Sequence, residues 1–311
     1  NALAVDTQGN KSIAIGNGAL SAQNFTSSTD TFNVAIGYDA GDQITTGIRN
    51  TIVGSLAGDA MTTAGDNAAF GYRALTAATG GDNVAVGADA GLVIDSGTNN
   101  TAVGKESLKS VTSGDYNIGI GTEGGINITT GEGNICIGRG AKPAAGDNNN
   151  CIVLGENVTA VGGSNFTFGV TTTDSNIAAG ATSISAPSDV RLKEDIQDET
   201  VGLGFVNDLR PVTFQWKKEK DIPSDMKAHV SGSEKRTMNG KYNHGFIAQE
   251  VKTVIDKHEM KDGFDMWMED GEDGRQRIGD ASLMPIMVKA LQELSEKNDA
   301  LEARLAALEA K

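Results

Sequence analysis

The sequence predicts a mainly β, solenoid-like repeat followed by a small α+β domain that ends in a coiled-coil helix. Three observations indicate this fold class. An N-x-A/I-x-G pattern recurs at steps of 16 or 17 residues through the first half of the chain. Glycine becomes scarce near residue 187, with 31 of the 40 glycines before that point and 9 after it. A heptad pattern of apolar residues occupies the last 30 residues.

Each copy of the repeat combines a short strand with a glycine corner. Alternating apolar residues, such as Val84 with Val86 and Ile135 with Ile137, predict a strand whose apolar pair forms the buried face. The closing glycine permits a sharp corner or a positive φ. The recurring Asn suits the turn before the strand, and stacked copies could form a ladder. Closing glycines are Gly37, Gly54, Gly71, Gly87, Gly104, Gly121 and Gly138, with degenerate copies at Gly16, Gly155 and Gly169.

A repeat this short buries its apolar face only when copies stack. Aromatic residues are scarce in the repeat, so we expect a thin core of Ala, Val and Ile. This favours a β-solenoid, or an intertwined β-structure whose chains share their cores. A calcium-binding solenoid of the RTX type is rejected, because its nine-residue glycine-rich period is absent.

The repeat, over roughly residues 10–170, resembles the head repeats of trimeric autotransporter adhesins and similar stretches in phage fibres. That resemblance implies a parallel homotrimer. We therefore expect a repetitive, trimeric β-roll-like stalk over residues 1–170. Residues 171–187 are small and polar without a strong period, and they are interpreted as a connector. The chain begins at Asn1, and we expect it to be a piece of a longer protein.

Charge and cysteine content exclude several partners. The formal net charge is −15, and residues 1–187 hold 16 acidic against 7 basic side chains. Such a chain repels nucleic acid and anionic lipid, and no apolar run is long enough to cross a membrane. We expect neither nucleic-acid binding nor membrane insertion. Cys136 and Cys151 lack metal-binding spacing and are interpreted as small apolar fillers, so no metal and no cofactor are expected.

From Ser188 the sequence changes character. It contains SDVRLKEDIQ, then GLGFVNDLRPVTFQWK, then HGFIAQEV from His244, then a helical C-terminus. These blocks, in this order, resemble the chaperone-of-endosialidase family of intramolecular chaperone autoprocessing domains. The resemblance covers residues 188–311. It implies a domain that trimerises, guides assembly of the upstream fibre and then cleaves itself off.

The family's S-D-x-R-x-K motif implies Ser188 as nucleophile and Lys193 as its activating base, with cleavage of the Pro187–Ser188 bond. A serine hydroxyl becomes a competent nucleophile when a base removes its proton. A lysine amine serves as that base when burial or a neighbouring cation lowers its pKa, and Arg191 is the nearby cation. Asp189 is interpreted as a cap or a supporting residue, and Asn243 and His244 are weaker supporting candidates.

The remaining elements of the second domain follow from pattern. Leu209 to Pro211 predict a turn into a strand over residues 212–216. Residues 245–257 carry helical spacing through Ile247, Val251 and Ile255. The acidic stretch 262–275 is interpreted as a solvated loop or hairpin, since the EF-hand calcium pattern is missing.

The C-terminal helix, over about residues 284–309, carries a heptad seam. Asn298 is the single polar residue on the seam and is expected to fix register at some cost in stability. The seam predicts an oligomer without distinguishing a dimer from a trimer. Its members are Met284, Met287, Leu291, Leu294, Asn298, Leu301, Leu305 and Leu308.

Together, the two resemblances imply a virion tail fibre or tailspike component for host attachment. It would form a homotrimer, bind a host receptor or glycan and join upstream fibre or tail proteins, and its chaperone domain would be released in the host cytoplasm. The alternatives are a bacterial trimeric surface adhesin and the stalk of a glycan-degrading tailspike. No pair of catalytic carboxylates stands out, and we expect no activity on external substrates.

Overall fold

The computed structural model describes residues 1–171, 173–260, 265–269 and 274–310. The chain divides into two compact units, Asn1–Leu192 and Lys193–Lys311. The first unit is a β-solenoid, and the second is a small α+β unit that ends in a long helix. This confirms the predicted fold class for the single chain.

Each copy of the repeat forms one turn of the solenoid, called a rung here, and contributes a strand of three residues. The rungs stack in parallel with aligned glycines, so that Ala69 lies beside Ala85 and Phe70 beside Val86. The 16-residue step between these two rungs leaves the register intact, so its missing residue falls in the turn. The strands are β2 (Ile13–Ile15), β4 (Val34–Ile36), β5 (Thr51–Val53), β6 (Ala68–Phe70), β7 (Val84–Val86), β8 (Thr101–Val103), β9 (Ile118–Ile120) and β10 (Ile135–Ile137); β1 (Gly9–Asn10) and β3 (Thr29–Asp30) pair separately.

The middle residue of each strand faces the core, which reverses the predicted alternation. Ala85 and Cys136 are fully buried, whereas Val84 and Val86 are 38% and 40% exposed. Ile137 is also exposed, so the prediction that the Val84/Val86 and Ile135/Ile137 pairs form the buried face is wrong. The physical reason is the narrowness of a rung, whose strand packs directly against the rest of its own turn. The core of the rungs combines small Ala and Cys side chains with Ile, Leu, Val and Met side chains of the same chain.

The recurring asparagines form a buried hydrogen-bonded ladder, as the sequence suggested. In each step the backbone N–H of one Asn donates to the side-chain Oδ1 of the Asn one rung earlier, as Asn117 does to Asn100 at 2.9 Å. The side-chain Nδ2 then donates to a carbonyl in the following turn, as Asn100 does to Gly114 at 2.8 Å. The asparagine ladder comprises Asn33, Asn50, Asn67, Asn83, Asn100, Asn117 and Asn134.

Other residues complete the two ends of the ladder. At one end Asn33 Nδ2 donates to Oε1 of the buried Gln23 at 2.8 Å. At the other end Cys151 occupies the asparagine position, and its backbone N–H donates to Asn134 Oδ1 at 3.0 Å. Cys151 is therefore a buried residue of the ladder row, while Cys136 is a core residue, and both are free thiols.

The closing glycines are required by close approach of neighbouring rungs. Gly71 has a φ of +141°, and a Cβ there would lie 2.5 Å from the carbonyl oxygen of Gly87. Backbone cannot yield as a flexible side chain can, so a larger residue would separate the rungs.

The last strands close the solenoid differently. β11 (Ile152–Glu156) pairs in parallel with β12 (Asn165–Val170), and β13 (Thr173–Ala178) returns antiparallel. β13 lies within the stretch interpreted as a connector, because sheet pairing with β12 provides order that its composition does not signal. After it the backbone is largely extended and exposed as far as the short 3₁₀ helix Val190–Leu192.

The second unit packs three helices and two small sheets. Its core contains Phe205, Val251, Ile255, Met266 and Ile286. The predicted strand over residues 212–216 is confirmed over Val212–Phe214. The predicted helix over residues 245–257 is confirmed over Ala248–Lys257, whereas Ile247 lies just before it in extended backbone. The elements are α1 (Leu203–Asp208), β14 (Val212–Phe214), β15 (Asn243–Gly245), α2 (Ala248–Lys257), β16 (Trp267–Glu269), β17 (Gln276–Ile278) and α3 (Leu283–Glu309), with 3₁₀ turns at Glu219–Asp221 and Asp280–Ser282.

The acidic stretch interpreted as a solvated loop or hairpin is described only in part. β16 and β17 pair antiparallel, with Trp267 beside Ile278, as in a hairpin. Residues 262–264 and 270–273 of that stretch lie outside the described residues.

Candidate functional site

The predicted cleavage motif begins in exposed, extended backbone of the first unit. Pro187 and Ser188 are exposed, and the 3₁₀ helix of residues 190–192 follows. Asp189 accepts a hydrogen bond from the backbone N–H of Arg191 at 2.9 Å, which closes a tight turn. The turn is local, so the S-D-x-R spacing itself determines it.

Asp189 and Arg191 also form an ion pair. Arg191 Nη2 lies 2.5 Å from Asp189 Oδ2, and this hydrogen bond holds the pKa of the Asp189 carboxyl below its ordinary value. The positive charge of Arg191 is thus compensated within the motif. This pairing supports a structural role for both residues and weakens the expectation that Arg191 acts as a cation on the lysine.

The boundary between the two units falls between Leu192 and Lys193, inside the predicted motif. Ser188 is an exposed residue near the end of the first unit, and Lys193 is the exposed first residue of the second. The motif therefore coincides with the place where the solenoid unit ends and the α+β unit begins.

The two weaker candidates lie on β15 in the second unit. Asn243 exchanges side-chain hydrogen bonds of 3.1 Å with Asn239 and donates to the carbonyl of Lys241 at 2.9 Å. His244 is exposed and lies opposite Thr213 of β14. The amide of Asn243 thus stabilises its own loop, and this contact provides a structural role for it.

Helix α3 has two apolar faces. Ile286 and Ala290 are buried in the core of the unit. The apolar residues of the predicted seam are all exposed, between 43% and 68%, along the length of the helix. Asn298 on that seam donates to Glu302 Oε1 at 2.9 Å. One face therefore anchors the helix to its own chain, and the seam is uncovered in the single chain.

A contact between α3 and α1 was not predicted from the sequence. The backbone N–H of Leu203, at the start of α1, donates to Glu293 Oε2 at 2.9 Å. A Cβ at Gly202 would lie 2.6 Å from Glu293 Oε1, so a larger residue there would require the Glu293 side chain to shift. The two residues are 90 positions apart, and no local pattern could reveal the contact.

A second missed cluster joins α1 to α2. Asp208 Oδ2 lies 2.7 Å from Lys257 Nζ and 2.7 Å from His258 Nε2. Hydrogen bonds from Lys257 and then His258 hold the pKa of Asp208 below its ordinary value. The His258 ring also meets the edge of Phe205, with centroids 5.4 Å apart. The sequence contains a signal for this cluster, since an acidic residue, Asp208, ends α1 and two basic residues, Lys257 and His258, lie at the end of α2.

The solenoid carries an uncovered apolar surface along its sheet. The third residue of successive strands points outward, and most of these side chains are between 37% and 58% exposed. We call this surface the outer apolar stripe. Its exposed members are Ile15, Ile36, Phe70, Val86, Ile120, Ile137 and Leu154.

Other kinds of site find little support in the described part of the chain. There, no three His, Cys, Asp or Glu side chains are grouped so as to hold a metal ion. Burial raises the pKa of the Cys136 thiol to about 12, so that thiol is unreactive at neutral pH. None of the helices within the described ranges combines the length and apolarity needed to span a membrane.

The segment that begins at the predicted nucleophile is similar to a known family. Residues 188–259 match the peptidase family described as chaperone of endosialidase. The chaperone-of-endosialidase match starts at Ser188 and runs through α1, β14, β15 and α2. It supports an intramolecular chaperone role of the fibre or tailspike type and implies self-cleaving peptidase activity in general. No curated protein and no solved structure matches the chain.

Proposed function

We propose that this chain is part of a virion tail fibre or tailspike for host attachment. Its C-terminal unit assembles three copies and then removes itself by cutting the Pro187–Ser188 bond. The chaperone-of-endosialidase match that begins at Ser188 carries this proposal. The solenoid before it is the part that remains in the virion, where it joins upstream fibre or tail proteins and meets a host receptor or glycan. The chaperone unit is released in the host cytoplasm.

Two uncovered apolar surfaces support association of copies. The seam of α3 has heptad spacing and offers the second unit a coiled-coil interface. The outer apolar stripe offers the solenoid a long surface of β-branched and aromatic side chains, of a kind that soluble monomers rarely leave exposed. A homotrimer covers both surfaces without changing the fold of either unit.

Register is the problem that such a chaperone solves. Adjacent rungs are nearly equivalent, so a slip of one rung between two stalks costs little locally. Non-local β pairing is also slow. A coiled coil formed first by α3 brings the chains together at fixed positions, and the solenoids then associate in register.

In the proposed cleavage, the amine of Lys193 accepts the proton of the Ser188 hydroxyl. The Ser188 Oγ attacks the carbonyl carbon of Pro187, the C–N bond breaks, and the proton passes to the departing amino group of Ser188. The product is an ester between Pro187 and Ser188 Oγ. Water hydrolyses the ester to a free Pro187 carboxylate and restores the serine hydroxyl. The local turn made by Asp189 and Arg191 shapes the backbone beside this bond.

Intact mass under denaturing conditions tests the proposed reaction. The unaltered chain should yield two fragments, the smaller beginning at Ser188, whereas Ser188→Ala and Lys193→Met should each yield one uncut chain. Ser183→Ala is the control, since Ser183 is another exposed serine of the same extended stretch. Normal processing of Ser188→Ala would refute the nucleophile, and an uncut unaltered chain would refute self-cleavage.

A further inference from the structure

Two exposed tyrosines occupy the same position on alternate rungs of the solenoid. Tyr38 and Tyr72 each follow a closing glycine and are 56% and 50% exposed. Ser55 holds this position on the rung between them. The backbone N–H of Leu56 donates to the Tyr38 carbonyl at 2.9 Å, and that of Arg73 donates to the Ser55 carbonyl at 3.1 Å. These bonds keep the three residues in one row.

The row sets the spacing of the two rings. Stacked strands lie about 4.8 Å apart, so residues two rungs apart are separated by roughly 9.5 Å. This is about the length of two sugar residues in an extended chain. Ser55, which lies between Tyr38 and Tyr72 in the row, has a small side chain.

Charged groups flank both rings. The neighbouring carboxylate of Asp39 raises the pKa of Tyr38 through a hydrogen bond with its hydroxyl. The Arg73 guanidinium lies 5.9 Å from the centroid of the Tyr72 ring. Arg73 Nη1 also lies 3.4 Å from Asp89 Oδ1, in an ion pair. Burial raises the pKa of Asp59, while the charge of Arg73 lowers it and that of Asp39 raises it. No described group donates a hydrogen bond to the buried Oδ1 of Asp59. We call this set, Tyr38, Asp39, Asp59, Tyr72 and Arg73, the tyrosine patch.

The tyrosine patch differs chemically from the outer apolar stripe. The stripe is a surface of aliphatic and Phe side chains, which suits another copy of the chain. The patch alternates aromatic rings with hydrogen-bonding charged groups. Sugars present C–H faces that stack on aromatic rings, and hydroxyls that bond carboxylate and guanidinium. Three carboxylates, those of Asp39, Asp59 and Asp89, lie near the single guanidinium of Arg73. In a solenoid that is acidic overall, this excess of negative charge disfavours an anionic ligand.

We propose that the tyrosine patch binds an extended, uncharged oligosaccharide, with Tyr38 and Tyr72 stacking on sugars two residues apart. The inference rests on the proposed attachment function and names the ligand class and the residues that bind it.

Binding is measured by calorimetry on the full chain. The probes are neutral hexasaccharides of glucose, galactose, mannose and N-acetylglucosamine, and anionic hexasaccharides of galacturonic acid and sialic acid. At least one neutral hexamer should bind and neither anionic one should. The hexamer should bind more tightly than the disaccharide of the same sugar, because only a longer chain reaches both rings.

Substitution of the two tyrosines tests whether the saccharide binds at the tyrosine patch. Tyr38→Ala with Tyr72→Ala should weaken binding of that hexamer about tenfold or more, as expected for the loss of two stacked rings. Tyr116→Ala is the matched control, since Tyr116 is an exposed tyrosine of the same solenoid at a different position of its rung. An unchanged affinity in the double variant, an equal loss in the control, or no binding of any neutral hexamer would overturn the proposal. Self-cleavage is measured by fragment mass, which does not depend on saccharide binding. A chain that cleaves itself normally but binds no saccharide would therefore contradict this inference and leave the proposed function standing.

Discussion

Each asparagine of the ladder satisfies backbone groups on two rungs at once. Asn100 accepts hydrogen bonds from the backbone N–H and side-chain Nδ2 of Asn117, and it donates to the carbonyl of Gly114. All of these groups are buried away from water. A buried polar group without a partner costs more free energy than an average hydrogen bond contributes. Each turn must therefore close where the ladder asparagine pairs these groups.

Replacing Asn100 by Ala should destabilise the solenoid by about 2–4 kcal/mol, because one N–H and one carbonyl lose their partners in a dry interior. Chemical unfolding followed by far-ultraviolet circular dichroism measures the change. Asn17→Ala is the control, since Asn17 is an exposed asparagine of the first rungs of the same solenoid and does not belong to the ladder. Equal stability of the two variants would show that the ladder contributes nothing specific.

Gly71→Ala tests the close approach of rungs. The added Cβ meets the backbone of Gly87 and requires a φ that L-residues rarely adopt, so we expect a loss of about 3 kcal/mol or more. Gly163→Ala is the matched control, because its φ is ordinary and its nearest contact is 3.4 Å away. The same unfolding measurement should leave the control close to the unaltered protein, and a mild effect at Gly71 would contradict the stacking geometry.

At the scale of elements, the apolar residues of α3 lie on two faces, one buried in the core of the second unit and one exposed along the predicted seam. Ile286→Ala should lower the stability of the second unit by about 2–5 kcal/mol, because it opens a cavity in the core. Leu301→Ala with Leu305→Ala should leave that unit folded, since both side chains are exposed in the single chain, and should reduce the oligomer mass. Circular dichroism with sedimentation equilibrium separates the two effects. Retention of the oligomer in the double variant would contradict the seam.

The segment between β14 and β15 contains a pH-sensitive contact. Hydrogen bonds from Lys218 and then Lys220 lower the pKa of Glu234 to about 2, below its ordinary value near 4.5. A carboxyl whose pKa is depressed in the folded state stabilises it above the unfolded pKa, and that stability is lost as pH falls through the folded pKa. Glu234→Gln should therefore unfold more easily than the unaltered unit at pH 7, and the difference should vanish between pH 4.5 and 2. A constant difference down to pH 2 would refute this assignment.

Periodicity was enough to predict elements, although it did not predict which side chains face inward. The 17-residue period and the glycine corners follow from local sequence and are present in the structure, and the C-terminal helix is confirmed over Leu283–Glu309, whereas the heptad seam stays a prediction. The outward orientation of Val84 and Val86 was not predicted, because it depends on the width of a rung, which is a tertiary property. Hydrophobicity alone favoured the burial of these larger side chains. The contact between Glu293 and Leu203 was likewise missed, since it joins distant segments.

At the scale of the whole molecule, the proposed sequence of events is assembly followed by release. The second unit provides its own core. Under the proposal its C-terminal helix also joins the copies, so this unit forms before the repetitive stalk reaches its register. Once it is cut away, the stalk no longer has the element that brought its chains together. Unfolding then becomes difficult to reverse, and persistence of the stalk is governed by its rate of unfolding.

Native mass spectrometry of the folded, unaltered chain tests this account most directly. The account predicts a complex of three copies of residues 1–187, together with separate fragments that begin at Ser188. In the Ser188→Ala variant the same measurement should find three full-length chains. A monomeric stalk fragment, or a single uncut chain in both samples, would contradict assembly followed by self-removal.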